Sequence, residues 1–123
     1  MTAPRQNGKE KIYSQKKYSA KEVESNIQHF IRYLKKRHRL PVSQVYLFGS
    51  YAKNEQREWS DVDVCIISPK FKKIDVLSYL WQKLRQEDIN NSIEPVGFHP
   101  DDFKDDESPL IYEIKKTGKE IRV

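Results

Sequence analysis

Val23, Ile27, Phe30, Ile31 and Leu34 recur at steps of three and four, the spacing of one helical face. Ser19 stands just ahead of them, with Glu22 three positions on, a capping box that opens a helix. The pattern predicts a helix over residues 20–37. Lys35, Lys36 and Arg37 fall in its last turn, where cations suit the negative end of the helix dipole. Pro41 closes the connection after it. β-Branched and aromatic residues fill 43–48, a strand that Gly49 interrupts. A short helix is expected over 50–54, a polar loop over 56–60, and a second strand over 61–67 that Pro69 ends. Ile74, Leu77, Leu80, Trp81 and Leu84 predict a second long helix, from about 74 to 86. Asn90 and Asn91 read as a turn, and 93–98 as a third strand. An acidic connection over 100–106 has room for one helical turn. Ser108 then caps a last helix with Pro109 at its first position, Leu110, Ile111 and Ile114 inward, and Gly118 just past its end. Residues 120–123 suit a short final strand. Helices alternate with strands, so the expected class is α/β or α+β: a short mixed sheet with helices packed on one face.

Composition narrows this picture. A chain of 123 residues with 37% hydrophobic and 33% charged residues makes one compact domain with a modest core and a very polar surface. No apolar run is long enough to span a membrane. The charges of residues 1–17 have no apolar stretch behind them, so no secretory signal is expected. The single cysteine, Cys65, allows no internal disulfide, and a cytoplasmic, reducing location is the expectation. The net charge of +5 favours polyanionic partners. Much of it lies in Arg5, Lys9, Lys11, Lys16 and Lys17, faced only by Glu10. Residues 1–18 therefore read as a basic, disordered arm and 19–123 as the folded domain.

The second strand carries an anomaly. Asp61 and Asp63 sit two positions apart, so they share one face, while Val62, Val64 and Ile66 take the other. Aspartate is a poor strand former, and two neighbouring carboxylates repel. On a solvent-facing strand such a pair needs no explanation. If the face is enclosed, a divalent cation held by oxygen ligands, magnesium or manganese, offsets the repulsion. Gly49-Ser50 at the end of the first strand adds a second clue. Glycine lets the backbone approach a ligand, and a following helix start offers free N–H groups to an anion. Phosphate donors beside a metal-binding carboxylate pair are the equipment of phosphoryl or nucleotidyl transfer.

"GSYAKNEQREWSDVDVCII" resembles the Gly-Ser…Asp-x-Asp signature of the DNA polymerase β-like nucleotidyltransferase superfamily, and most closely its minimal nucleotidyltransferase (MNT) branch of small prokaryotic proteins. The likeness runs from about Ser19 onward and includes Ala52, Lys53 and the ending "SPLIYEIKKTGKEIRV". It implies that Gly49, Ser50 and Lys53 bind the nucleotide and that Asp61 and Asp63 ligate magnesium. A third carboxylate on the next strand completes the triad, and Glu94 in "SIEPVGF" is the candidate. It would help hold the second ion and deprotonate the attacking hydroxyl. The implied reaction passes a nucleoside monophosphate, AMP from ATP, to a hydroxyl on a partner protein. The resemblance also implies an antitoxin-type role beside a small helical HEPN-type partner. The domain is short, so a partner or self-association is expected to supply the acceptor. Two departures stand out. Asn54 occupies a place where the family often has glycine, and asparagine tolerates a left-handed backbone. Glu94 is longer than the usual aspartate and precedes Pro95, which removes a ladder hydrogen bond.

Other residues read more plainly. Cys65 is expected in the core, on the aspartates' face but deeper. His29, His38 and His99 share no metal-binding spacing. Lys53 and Arg57 are placed to reach phosphates or to stay solvated. Trp81 reads as core. Asp101, Asp102, Asp105 and Asp106 lack a calcium-loop pattern and read as a solvated connection. The alternative to an enzyme is an MNT-fold antitoxin or binding module with weak or absent catalysis. Nucleic-acid contact through the basic arm ranks last, since only Tyr13 and Tyr18 interleave its charges.

Overall fold

The computed structural model describes residues 18–57 and 60–123. The expected basic arm, up to Lys17, lies outside the described residues. The order is α1 (Ala20–Arg37), β1 (Gln44–Phe48), β2 (Val62–Ile67), α2 (Val76–Gln82), α3 (Gln86–Asn90), β3 (Ile93–Phe98), a 3₁₀ turn (Asp102–Lys104), α4 (Pro109–Thr117) and β4 (Lys119–Glu120). The strands form one sheet in the order β3-β2-β1-β4. β2 is antiparallel to β1 and parallel to β3, and β4 adds antiparallel to β1, so the sheet is mixed. Among the described residues no helix is long and apolar enough to cross a membrane.

α1 begins where the capping box sets it. The Ser19 hydroxyl accepts from the Glu22 N–H, and the Glu22 carboxylate accepts from the Ser19 N–H, both at 3.1 Å. The five periodic apolar residues of α1 are all buried, and each contributes roughly 1.5–3 kcal/mol of burial. They pack on Val45, Leu47, Val62, Val64 and Ile66, one face of the sheet. Leu80, Leu84 and Ile89 of the α2–α3 region join this core.

α4 covers the other face. Ile111 and Ile114 meet Phe48, Cys65 and Ile67, with Phe103 of the 3₁₀ turn stacked on Tyr46 at 5.5 Å. The α+β class and mixed sheet are those read from the sequence, but the helices lie on both faces instead of one. The reason is in the strands: Tyr46, Phe48, Cys65 and Ile67 form a second apolar face that must also be covered. Gly118 follows α4 with an ordinary extended backbone (φ −70°), so its lack of a side chain serves a close approach to the Ile114 carbonyl.

The expected long helix over 74–86 is two short ones. Asp75 caps α2 by accepting from the Ser78 N–H and hydroxyl. Asp88 then starts α3, accepting from the Arg85 backbone N–H, Nε and a terminal nitrogen, each at 2.9 Å. With α2 so short, Leu80 is its only buried residue. Ile74, Leu77 and Trp81 are 46%, 55% and 45% exposed, so Trp81 is a surface residue, contrary to expectation.

Asp88 is almost fully buried and answers three Arg85 donors. Asp88→Ala should therefore destabilise the fold by about 2–3 kcal/mol. Urea unfolding checks this; a midpoint equal to the parent's would show that the junction is held by packing alone.

Candidate functional site at one rim of the sheet

β1 runs out at Phe48, and Gly49 turns the chain with φ +75°, a left-handed conformation that suits glycine. The short helix expected after it is a single closed turn. Lys53 N–H donates to the Gly49 carbonyl at 3.2 Å. Asn54 N–H then donates to Tyr51 O at 3.4 Å, and Glu55 N–H to Ser50 O at 2.8 Å. With Asn54 at φ +57°, these two bonds form the Schellman pattern that ends helices. Asn54 thus takes the left-handed role of the missing glycine and stops the helix after one turn.

The turn is anchored from behind. Tyr51 and Ala52 are buried in the α1 core. The Tyr51 hydroxyl accepts from the Tyr18 N–H at 3.3 Å, and the Tyr18 hydroxyl donates to the Asn90 carbonyl at 2.8 Å. Ser50 is half-buried and Lys53 exposed.

Strand register brings the carboxylates to this turn. Asp63 pairs with Phe48 on one side and with Glu94 on the other. Register partners in a sheet share a face, so Glu94 stands beside Asp63. Asp61 lies just before β2, on the same alternation. The Asp63 carboxylate packs directly against Gly49: a Cβ there would overlap its Oδ2. Burial first, then the charges of Asp61 and Glu113, push the Asp63 carboxyl up to about 6.

Glu113 is the residue that sequence reasoning missed. It lies on α4, and its carboxylate holds Lys53 Nζ at 3.1 Å. The sequence carried no signal for it, because only the seating of α4 on the second face brings residue 113 to the rim. Gly49, Ser50, Lys53, Asp61, Asp63 and Glu94 thus gather at one end of the sheet, joined by Glu113. Among the described residues no three or more His, Cys, Asp or Glu side chains are drawn together as a ready-made metal cluster.

The remaining candidates lie elsewhere. Cys65 is fully buried below Asp63, and burial pushes its thiol up to about 12. His38 Nε2 lies 3.0 Å from the Tyr33 hydroxyl, and His99 Nδ1 accepts from the Asp101 N–H at 3.0 Å. Arg57 is exposed. Asp101, Asp102, Asp105 and Asp106 are exposed too.

The sequence profile of the nucleotidyltransferase domain matches residues 27–123, and the chain belongs to that family of transferases. Among solved structures, a toxin–antitoxin crystallised with AMP-PNP aligns with a TM-score of 0.57 at 22% identity, covering 80% of this chain and 72% of that one. A putative nucleotidyltransferase from Sulfolobus solfataricus aligns with a TM-score of 0.56 at 17% identity, covering 85% and 87%. A mutant of the toxin–antitoxin MntA–HpeT gives 0.53 at 19%, covering 80% and 71%. At these identities the likeness is one of fold. No curated protein matches the chain.

Two backbone positions predict opposite outcomes. Gly49→Ala meets both a left-handed φ and the Asp63 carboxylate, and should destabilise by about 1–3 kcal/mol. Asn54→Gly needs no strain and should match or exceed the parent, by up to about 1 kcal/mol. Thermal unfolding of both variants checks the pair.

The raised Asp63 carboxyl predicts a pH dependence. Between pH about 4 and 6 the folded chain holds this proton and the unfolded chain releases it. Its contribution to stability is therefore greatest in acid and is lost as pH rises through about 6. Asp63→Asn removes the effect, so in EDTA its stability relative to the parent should climb from pH 4 to pH 7. A difference that stays flat across that range would contradict the burial of this carboxyl.

Proposed function

We propose that this rim transfers a nucleoside monophosphate, AMP from ATP, to a hydroxyl acceptor on a partner protein, in a magnesium-dependent reaction. The observation that carries the reading is the register Phe48–Asp63–Glu94, which sets two carboxylates side by side on one face, with Asp63 against the Gly49 turn. The chemistry of the donor set suits a hard divalent cation, which would have to draw together carboxylates that stand apart without it. The set is built of carboxylate oxygens, and one of them is held at a raised pKa by burial and like charge, which a cation would relieve. Asp61, Asp63 and Glu94 would hold it. Magnesium, when bound, neutralises the phosphate chain and favours ionisation of the acceptor hydroxyl.

The chain's own residues do the rest. The Ser50 hydroxyl and the N–H groups opening the turn donate to phosphate oxygens. Lys53, one turn on, supplies a cation once it leaves Glu113. Glu94 accepts the acceptor's proton as the new O–P bond forms at the α-phosphorus and the bond to the β-phosphate oxygen breaks. Pyrophosphate leaves. The acceptor belongs to a small helical protein of HEPN type, and the pair works as antitoxin and toxin. The toxin–antitoxin crystallised with AMP-PNP supports the nucleotide and the setting, through a shared fold. The domain of this activity is residues 19–123, with a cytoplasmic location.

Incubation with labelled ATP, magnesium and a helical partner protein tests the proposal. Label should pass to the partner and fall at least 100-fold in Asp61→Ala/Asp63→Ala. Glu94→Gln should slow transfer while leaving ATP binding within a few fold. Partner binding without transfer, unchanged by the double substitution, would make this a binding module of the same fold.

A further inference from the structure

α1 carries Gln28, Arg32 and Lys36 at steps of four, with Lys35 beside them, so one stripe of the helix is basic. The segment after β4 lies against it: Gln28 Nε2 donates to the Arg122 carbonyl at 2.9 Å. Together with Ile31 and Val123 these residues line a groove of about 410 Å³. Four cationic side chains line it and no acidic side chain does. Among the described residues, none of Arg32, Lys35, Lys36 and Arg122 has a carboxylate side chain within ion-pair distance.

The groove is separate from the catalytic rim. Ile121 N–H donates to the Val45 carbonyl at 2.8 Å, which sets Arg122 near the start of β1. Gly49 is four residues further along, about 13 Å at strand rise. The groove also lies on the α1 side of the sheet, while Asp63 and Glu94 share the face that α4 covers.

Unpaired cations in one concavity create a positive potential that an anion relieves. From Gln28 to Lys36 the stripe runs about 12 Å at helical rise. That length suits several anionic groups in a row better than a single carboxylate. The volume is that of a small-ligand site. Its lining holds no aromatic side chain on which the bases of a nucleic-acid strand would stack. We propose that this groove is a second anion site that takes a small oligophosphate, two or more linked phosphates, either free or carried on a nucleotide. The proposal does not depend on the reading of the rim.

Titration calorimetry of the full chain with inorganic tripolyphosphate, in EDTA, tests it. Without a cation the acidic rim repels the ligand, so binding reports on the groove. One binding event is expected, weakened at least tenfold in Arg32→Ala/Lys35→Ala/Lys36→Ala and unchanged in Asp61→Ala/Asp63→Ala. Lys35→Arg/Lys36→Arg should retain it, and matching thermal unfolding without ligand should show the variants folded. ATP binding as tightly as tripolyphosphate would assign a free phosphate chain; tighter ATP binding would assign a nucleotide. The proposal is overturned if no binding is seen, if the alanine variant binds like the parent, or if affinity follows the rim pair. It is also overturned if a single-stranded oligonucleotide binds through the same residues and displaces tripolyphosphate.

Discussion

The carboxylate of Asp63 occupies the space that a side chain at position 49 would need. This contact ties together the end of β1, the middle of the rim and the turn that follows. It explains why the turn at position 49 takes a glycine, the one residue with no Cβ to meet that carboxylate. It also sets the electrostatics of the site. A carboxylate pressed against backbone loses water, and two more acids nearby raise its proton affinity further.

The two faces of the sheet divide the work. Val62, Val64 and Ile66 bind the strand to α1, so the alternate positions are free to carry Asp63, Cys65 and Ile67 outward from rim to core. α4 covers the apolar end of that second face and stops at the acids. Its edge delivers Glu113 to the rim. The layer that closes the second core therefore also forms one wall of the site.

Much of this was legible in the chain. The start and end of α1 followed from its capping box and its periodic apolar stripe, and β3 spans the 93–98 expected of it. The Gly-Ser and Asp-x-Asp pieces named four residues and the family resemblance added Lys53 and Glu94, and the fold gathers all six at one rim. What escaped had physical reasons. A single periodicity over 74–86 hid two caps, Asp75 and Asp88, and so put Trp81 on the wrong side of the surface. Glu113 carries no local mark, since its partner is 60 residues away in sequence. The basic groove likewise joins α1 to residues 122 and 123, a juxtaposition that only β4 pairing creates.

The ion pair between Lys53 and Glu113 has a thermodynamic consequence. Lys53 is not an idle charge waiting in solvent; it already has a counterion. A triphosphate drawing on Lys53 must replace an existing attraction, so the net gain is smaller than the new contact alone would suggest. In the proposed reaction the same exchange would run backwards as pyrophosphate departs, with Glu113 taking back the ammonium. A counterion of this kind would trade affinity for turnover.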